Sequence, residues 1–501
     1  MKGEECICQK GGVMYLSKRG YVVNKAEIGQ IELTELKSTL RGRPLQDVNY
    51  NQVPVAFPLY IETKNKIYIP KMYGISKYGY PKVLLDNFNV QRSETFGDFK
   101  GDLFPVQREA ADVMLQTLGT TGGGILSLGT GLGKTVTALY ILSQLKVKTL
   151  IIVNKIPLMR QWEEEIKQFI PGGSVGFLQG SKNVSVESKD IVIGMLQSLA
   201  KIDYPPEIFN DFGALVVDET HNIASKVFSQ VLLKVCCKYT IGLTATPSRS
   251  DGCEYVFKWF LGEVVYQTKL ERAGMAPILR IVKLKSKDYR EITNPKNNKI
   301  QFTAMLSELV EMPKRNGFIV ETIKELVGSK RKVLVMSDRR DHLKHIKGML
   351  DTDPEVQFSH GLFIGQMKMA ELEANKTCDV ILATFSAFSE GVSIKDLNTL
   401  FLITPKKYIG HIKTSSKQES GKMEQIVGRI FRKDHLEMAP LIVDLFDEFS
   451  VYRSQSNGRK VFYKTYLKDL KMKIDQVDLD TNCTSSHIET ERIQQECLLI
   501  D

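Results

Sequence analysis

Two stretches of the chain carry the same alternation of short apolar runs and longer amphipathic segments. Over residues 96–275 the apolar runs have the length of strands and lie at residues 125–128, 149–153, 190–194, 214–218 and 239–243. Segments with helical spacing separate several of them, including residues 105–118 and 135–145. Apolar strands that alternate with helices are typical of a parallel sheet covered on both faces. The sequence therefore predicts an α/β domain in this region.

A second domain of the same type is predicted after a polar stretch. Residues 294–299 are rich in proline, asparagine and lysine, a composition typical of loops, and we assign residues 276–300 to a linker region. Strand-like runs return within residues 301–470, at residues 332–336, 380–383, 400–403 and 441–443. The expected fold class is therefore α/β, with two tandem parallel-sheet domains.

The two ends of the chain are predicted to differ from this core. Residues 1–95 are rich in tyrosine and lysine, and short alternating stretches at residues 67–69 and 83–85 predict a small β-rich accessory domain. Interleaved lysines and tyrosines can grip a nucleic-acid backbone and stack on bases, but an ordinary β-rich domain with surface lysines fits equally well. Residues 471–501 are expected to form an acidic, partly disordered tail.

Composition narrows the class of protein. A chain of 501 residues with 43% hydrophobic content can bury about three domain cores. It contains no apolar run long enough for a membrane span, and its start does not resemble a signal peptide. The eight cysteines lack C-x-x-C spacing, so we expect free thiols in a reducing intracellular compartment and no zinc site. A net charge of +10 suits a polyanionic partner, although a solvated basic surface gives the same count.

The first apolar run leads into a candidate phosphate-binding loop. Glycines let successive backbone N–H groups turn toward phosphate oxygens, and the following helix adds the positive end of its dipole. A lysine there can reach the β- and γ-phosphates, and a threonine hydroxyl can ligate Mg²⁺. The strict pattern has glycine where this chain has Leu128, so a glycine-rich turn before an ordinary helix is the alternative. The loop residues are Gly131, Leu132, Gly133, Lys134 and Thr135.

A second motif strengthens the first. The apolar run at residues 214–218 ends in Asp218 and Glu219, followed by Thr220 and His221. Two carboxylates at the end of a buried strand are costly unless they bind something. Asp218 is placed to hold Mg²⁺ through water, and Glu219 to orient and deprotonate an attacking water. Together the two motifs predict an ATPase that uses ATP and Mg²⁺.

A basic segment in the second domain offers the complementary charge. Gln425, Arg429 and Arg432 share one face of a predicted helix, and Gly428 permits close backbone approach. Two arginines that face a cleft can neutralise charge on a γ-phosphate, whereas a solvated basic helix face is the simpler alternative. The second domain has no phosphate-binding loop of its own, which suggests that it closes over a nucleotide held by the first.

The ordered set of motifs resembles the superfamily 2 helicases and translocases of the DExH type. Four further segments join those already described, and the likeness covers residues 100–465 in family order. They are Pro105-Val106-Gln107, Leu243-Thr244-Ala245-Thr246-Pro247, Ala383-Thr384-Phe385, and Ser389-Glu390-Gly391-Val392-Ser393-Ile394. This family relaxes the first glycine of the loop, so Leu128 is compatible with it. Ser393 departs from the family, which often has aspartate there.

The resemblance implies two RecA-like domains and further roles for named residues. Gln107 would contact adenine, and Gly391 lies in a motif that touches both nucleic acid and nucleotide. Gln161, Thr246 and Thr384 would contact the nucleic-acid strand. Finer features, such as Gln161-Trp162-Glu163, are similar to the XPB and UvsW branch and to helicases of large cytoplasmic DNA viruses, including the poxvirus transcript-release type.

The expected activity is an ATP-dependent DNA helicase or translocase. Its partners would be single-stranded or forked DNA, with RNA or an RNA–DNA hybrid as alternatives, and an RNA polymerase or the replication machinery. If the protein is viral, its place would be the host cytoplasm or the virion. A DExH RNA helicase, the motor subunit of a restriction enzyme and an ATP-gated nucleic-acid-binding scaffold are the alternatives. Glu219, Arg429 and Arg432 disfavour the scaffold because hydrolysis needs them and binding alone does not.

Overall fold

The computed structural model describes most of the chain. The described residues are 14–44, 55–81, 83–84, 88, 90, 92–129, 131–181, 183–220, 225–245, 252–268, 275–295, 297–388, 394, 396–406, 423–424, 426–431, 435, 437–467, 470–481 and 483–489. They form two compact units, one that includes the described residues up to Thr268 and one that includes those from Met275 onward.

The first unit begins with a small module of short strands and two helices. Its elements are β1 (Tyr15–Ser17), β2 (Gly20–Asn24), α1 (Gln30–Thr39), β3 (Arg41–Gly42), β4 (Phe57–Pro58), β5 (Ile61–Glu62), β6 (Lys66–Ile69), α2 (Lys71–Tyr78) and β7 (Val83–Leu84). The larger sheet of the module has the order β5-β6-β2-β1-β7 and is antiparallel apart from the β1–β7 pair. The predicted β-rich N-terminal region is therefore confirmed.

The remainder of the first unit is an eight-stranded sheet covered by helices. Its elements are α3 (Pro105–Thr120), β8 (Gly123–Leu128), α4 (Lys134–Leu145), β9 (Thr149–Val153), α5 (Ile156–Phe169), β10 (Val175–Gln179), β11 (Asn183–Ser185), β12 (Ile191–Met195), α6 (Leu196–Lys201), β13 (Ala214–Asp218), α7 (Lys226–Ser229), β14 (Tyr239–Thr244), α8 (Glu254–Leu261) and β15 (Val264–Thr268). The strand order is β11-β10-β12-β9-β13-β14-β8-β15, and every pair except β10–β11 is parallel.

The N-terminal module is fixed to the amino-terminal edge of this sheet. The Lys71 ammonium is buried and donates to the carbonyl oxygen of Gly122, directly before β8, at 2.9 Å. The Lys18 ammonium donates to the carbonyl oxygen of Phe212, two residues before β13, at 2.7 Å. A buried lysine is tolerated when its charge is matched by several oxygens, and Lys71 also bonds two further carbonyls. Both contacts lie opposite the edge where parallel strands end.

The second unit repeats the α/β arrangement. Its elements are β16 (Ile278–Lys285), α9 (Phe302–Glu311), α10 (Pro313–Gly328), β17 (Val333–Ser337), α11 (Arg340–Thr352), β18 (His360–Phe363), α12 (Met369–Asn375), β19 (Val380–Thr384), α13 (Phe385–Phe388), β20 (Thr399–Leu402), β21 (Leu441–Asp447), α14 (Ser450–Tyr466), β22 (Lys471–Asp478) and β23 (Cys483–Glu489). The sheet order is β18-β19-β17-β20-β21-β16-β22-β23, and only β22–β23 is antiparallel. Two tandem RecA-like domains are therefore confirmed.

Two predicted boundaries differ from the structure. Residues 278–285, placed in the linker, form β16 in the second sheet between β21 and β22. Residues 471–489, placed in the acidic tail, form β22 and β23. The acidic side chain of Asp475 is 1% exposed and pairs with Arg280 of β16 at 2.6 Å, so its charge is matched inside the sheet rather than solvated. Residues 490–501 lie outside the described residues.

Three expected absences can be examined in the described part of the chain. No described helix is long and apolar enough to cross a membrane. The described cysteines, at positions 236, 237, 253, 378 and 483, form no disulfide. The described histidines, cysteines and carboxylates form no group of three that could hold a metal ion.

Candidate functional site

The topology of the first sheet brings the two predicted ATPase motifs to one edge. Strands β13, β14 and β8 are adjacent and parallel, so their carboxyl ends share that edge. The glycine-rich loop follows β8, and Asp218 is the last residue of β13. One strand separates the two motifs. Ligands of open α/β sheets bind at this edge, as the sequence motifs require.

The glycine-rich loop has the backbone conformation that its glycines permit. Gly131 and Gly133 have φ angles of +91° and +72°, a region that other residues rarely adopt. Helix α4 begins at Lys134, directly after Gly133, so Lys134 and Thr135 occupy its first turn. The Lys134 ammonium donates to the carbonyl oxygen of Leu128 at 3.3 Å. This position leaves the ammonium at the mouth of the loop, where a phosphate can replace that carbonyl.

Gln107 supports the loop from helix α3. Its side chain is 4% exposed, and its amide donates from Nε2 to the carbonyl oxygen of Leu132 at 3.0 Å. Its Oε1 accepts the backbone N–H of Phe104 at 3.0 Å, which satisfies a donor directly before the start of α3. A Cβ atom on Gly133 would lie 2.3 Å from Gln107 Nε2, so only glycine permits this close approach. The structure therefore shows Gln107 bonded to the loop, while its predicted contact with adenine stays a prediction.

The carboxylates after β13 are held in a defined geometry. Asp218 is 9% exposed, and its Oδ2 accepts the indole N–H of Trp162 at 3.0 Å. Its Oδ1 accepts the backbone N–H of Glu219 at 2.9 Å. Burial, followed by the nearby charge of Glu219, raises the pKa of Asp218 to about 6, although Trp162 and the Lys134 ammonium act against this shift. Glu219 has φ of +49°, an unusual conformation for a residue with a side chain.

These residues fit a magnesium ion. Mg²⁺ prefers oxygen ligands, usually one or two carboxylates together with phosphate oxygens and water. The buried Asp218 carboxylate accepts hydrogen bonds from two uncharged N–H donors, so it can also take a cation. The hydroxyl of Thr220 is also buried and has no hydrogen-bond partner within the described chain. Strain at Glu219 and such unsatisfied polar atoms are features that cluster at functional sites.

Two of the predicted nucleic-acid contacts lie within the described residues, one in each unit. Gln161 lies on α5, is half-buried, and donates from Nε2 to Glu165 Oε1 at 2.7 Å. Thr384 ends β19 and is 4% exposed, and its hydroxyl accepts the N–H of Ala387 at 3.3 Å. Thr246 and Gly391 lie outside the described residues. The roles of all four residues stay predictions.

The structure describes part of the basic segment of the second unit. Residues Gly428–Phe431 form a 3₁₀ helix, in which side chains repeat every three residues rather than at α-helical spacing. Arg429 is 3% exposed, and its guanidinium carbon lies 5.9 Å from the centre of the Phe388 ring. Gln425 and Arg432 lie outside the described residues, so their shared face with Arg429 stays a prediction.

Sequence reasoning missed the link between Trp162 and Asp218. The two residues are 56 positions apart, and no spacing rule joins them. One available signal is that a tryptophan on the buried face of an amphipathic helix needs a partner for its N–H group. The partner could be identified only from the sheet order, which places β9 beside β13.

Comparison with known proteins agrees with this architecture. Residues 100–249 match the family model described as "Type III restriction enzyme, res subunit". The chain is 32% identical over 457 residues to "Putative ATP-dependent RNA helicase L396" of Acanthamoeba polyphaga mimivirus, and the match covers 90% of this chain and 85% of the relative. It is 26% identical over 465 residues to "Putative helicase 161L" of Invertebrate iridescent virus 6, covering 88% and 97%.

Among solved structures, S. cerevisiae Dbp5 bound to RNA and ADP BeF3 is similar in fold. The TM-score is 0.50 at 12% sequence identity, and the match covers 76% of this chain and 90% of Dbp5. At this identity the likeness concerns the fold alone.

Proposed function

We propose, because this chain belongs to the superfamily 2 helicases found in large DNA viruses, that it is a DNA translocase or helicase driven by Mg²⁺-ATP hydrolysis. Membership of this family implies an enzyme that hydrolyses ATP. The observation that carries the proposal is the convergence of the glycine-rich loop and the Asp218–Glu219 pair at one sheet edge. Each motif alone has simpler explanations. Their meeting at the ligand-binding edge of a parallel sheet supports a nucleotide site.

In the proposed reaction, the first unit binds the triphosphate. Backbone N–H groups of Gly131 and Gly133 would donate hydrogen bonds to phosphate oxygens, and the Lys134 ammonium would offset their negative charge. Thr135 and Asp218 would hold Mg²⁺, which supplies positive charge against the oxygens of the transferred phosphoryl group. The Glu219 carboxylate would accept a proton from the attacking water. Arg429 and Arg432 would add positive charge from the second unit as the bond to the γ-phosphate breaks, and Gln425 would share their position as a neutral hydrogen-bonding group.

Movement along nucleic acid would follow from cycles of nucleotide binding and release. Gln161, Thr246 and Thr384 would contact the strand mainly at phosphates, so we expect weak sequence preference. We place the motor in viral transcription, at transcript release, or in replication and repair, with an RNA polymerase or the replication machinery as its partner. The site of action would be the host cytoplasm or the virion.

RNA is the second candidate substrate, and one observation favours it. The mimivirus relative carries a name that describes an RNA helicase, and proteins of African swine fever virus at 26% identity carry the same description. The ATPase architecture is shared by DNA and RNA motors, so the choice requires a direct measurement.

The test is an ATPase and strand-displacement panel at low salt. Single-stranded DNA, forked and bubble duplexes, Holliday-type junctions, RNA and RNA–DNA hybrids are compared at equal nucleotide concentration. We expect DNA to give the strongest stimulation and the stimulation to fall as salt rises. Stronger stimulation by RNA would support an RNA helicase instead. No response to any nucleic acid would contradict the proposed motor function.

The matched variant pair is Lys134→Ala and Lys201→Ala. Lys134 lies at the mouth of the phosphate loop, whereas Lys201 is exposed at the end of α6. Lys134→Ala should abolish hydrolysis, and Lys201→Ala should behave as the unmodified protein. Normal turnover by Lys134→Ala would show that the nucleotide site is assigned wrongly.

A further inference from the structure

Trp162 makes a contact that neither the phosphate loop nor the acidic motif explains. Its side chain is 1% exposed within the apolar core between α5 and the first sheet. The single polar atom of the ring, Nε1, donates to Oδ2 of Asp218 at 3.0 Å. The other oxygen, Oδ1, accepts the N–H of Glu219 at 2.9 Å. The orientation of the Asp218 carboxylate is therefore fixed by one backbone donor directly after its own strand and one side-chain donor on α5.

Helix α5 joins this buried contact to an outer surface. The helix begins at Ile156, three residues after β9 ends, so its first turns lie at the carboxyl edge of the sheet. Ile156 is 46% exposed, and Gln161, directly before Trp162, is half-buried. β9 is hydrogen-bonded to β13 along its length, with Ile152 opposite Val217. A displacement of α5 by a ligand at its outer face would therefore move Nε1 relative to the end of β13.

We propose that Trp162 is a positioning residue. It links the binding of a nucleic-acid strand at helix α5 to the orientation of the Asp218 carboxylate. The inference rests on the proposed function, since it takes Asp218 as the carboxylate that holds Mg²⁺. A strand that binds on α5 would move the indole N–H, and with it the Asp218 carboxylate, into the orientation that suits the ion, so that nucleotide turnover rises. Trp162 touches neither nucleotide nor strand in this scheme and acts only through Asp218.

A purely structural role for Trp162 makes different predictions. The ring fills the core, and phenylalanine at this position keeps an aromatic ring but fills less volume, so it loses part of that packing. Trp162→Phe removes the N–H donor and keeps an aromatic ring. If packing were the whole role, this variant would lose thermal stability without changing the response to Mg²⁺ or nucleic acid. Trp259 is the matched control, because it is the only other tryptophan and packs between Tyr73 and Tyr255, near the N-terminal module.

The first measurement is ADP binding by calorimetry, with and without Mg²⁺. Loss of a hydrogen bond to a charged group should weaken Mg²⁺-dependent ADP binding by about ten-fold or more in Trp162→Phe. Binding without Mg²⁺ should stay unchanged, and Trp259→Phe should match the unmodified protein in both conditions. In the Asp218→Asn background the further change Trp162→Phe should have no effect, because its route through the carboxylate is already broken. An equal loss with and without Mg²⁺, or in both backgrounds, would overturn the proposal.

The second measurement is the stimulation of ATPase activity by single-stranded DNA and RNA. Trp162→Phe should keep its nucleic-acid affinity and lose most of the stimulation, whereas Trp259→Phe should keep both. Stimulation that stays normal in Trp162→Phe would contradict the proposed link.

If Trp162→Phe does not fold, NMR spectroscopy of the protein with Trp162 in place tests the proposal instead. The two indole N–H signals of the ¹⁵N-labelled protein can be assigned with Trp259→Phe. The Trp162 signal should shift on addition of MgADP, shift again with single-stranded DNA or RNA, and change position in Asp218→Asn. A signal that responds to none of these would overturn the proposal. Failure of the proposed function is distinguishable, because the unmodified protein would then neither bind MgADP nor respond to nucleic acid.

Discussion

The carboxyl edges of the two sheets carry buried aspartates in opposite electrostatic settings. In the first unit, the described contacts of Asp218 are an indole N–H and a backbone N–H, and the carboxylate of Glu219 and the ammonium of Lys134 lie nearby. In the second unit, Asp447 and Asp444 of β21 are fully buried and each accepts two hydrogen bonds from one arginine. The second edge neutralises its charge internally, whereas the first leaves a carboxylate for a cation to neutralise.

The two arginine–aspartate pairs explain why the buried aspartates of the second sheet have a structural role. Arg315 reaches Asp447 from α10 at 2.8 and 2.9 Å, and Arg459 reaches Asp444 from α14 at 2.8 and 3.0 Å. Tyrosine hydroxyls complete both carboxylates, each at 2.8 Å. Bidentate pairing with further hydrogen bonds offsets the cost of burying charge. The same residue type at the end of a strand therefore indicates a ligand site only when the chain does not supply its counter-ion.

The largest expected effect comes from Asp218→Asn. Loss of the magnesium-holding charge should lower ATP turnover by about three orders of magnitude or more, since metal assistance contributes several kcal/mol. Stability should be unchanged or higher, because the amide still accepts the Trp162 N–H and no longer buries a charge. ATPase assays and urea unfolding measure the two quantities. A variant that unfolds easily would show that Asp218 is structural, like the aspartates of the second unit.

The converse substitution in the second unit is Arg315→Met. It leaves Asp447 buried without its cation and should lower the free energy of unfolding by about 3–5 kcal/mol. The double variant Arg315→Met/Asp447→Leu removes both charges and should recover most of that loss in urea unfolding. An unchanged midpoint for the single variant would mean that the pair does not stabilise the second edge.

The two units should also differ in how their stability depends on pH. His342, 1% exposed, bonds Ser337 through Nδ1 and Asn316 through Nε2, and burial lowers its pKa to about 3. Because the unfolded chain protonates near pH 6.5 and the folded chain does not, stability is full above that pH and falls below it. The loss should reach about 2 kcal/mol at pH 5.

The control for this effect lies on the same helix. His342→Gln should remove this part of the pH dependence, whereas His345→Gln, at an exposed position of α11, should keep most of it, because burial lowers the pKa of His342 more than the charge of His345 does. Urea unfolding at pH 7 and pH 5 measures both variants. Identical pH dependence in the two variants would assign the effect to other groups.

Much of the fold and of the ligand-binding edge could be predicted from the sequence. The features that could not be predicted have a physical reason. Continuous apolar runs predicted β9 and β13 with their observed bounds. β16 and β22 were missed because their apolar residues alternate with charged ones, some of which are buried against one another, as Arg280 and Asp475 are. β23 was missed because its sequence is mostly polar. The partners of buried charges are unpredictable from spacing, since Arg315 and Asp447 are 132 residues apart. Sequence motifs identified the ligand-binding edge but not the contacts that orient it.

The smallest expected effect concerns the support of the phosphate loop. Gln107→Ala removes the hydrogen bonds to Leu132 and Phe104 and should weaken ATP binding by about five- to ten-fold, the net worth of about one hydrogen bond or slightly more. Gln116→Ala, at an exposed position of the same helix, is the control. If Gln107 also contacts adenine, its variant should lose preference for ATP over GTP as well as affinity. Equal weakening for ATP and GTP would assign Gln107 to the loop alone, because support of the phosphates does not depend on the base.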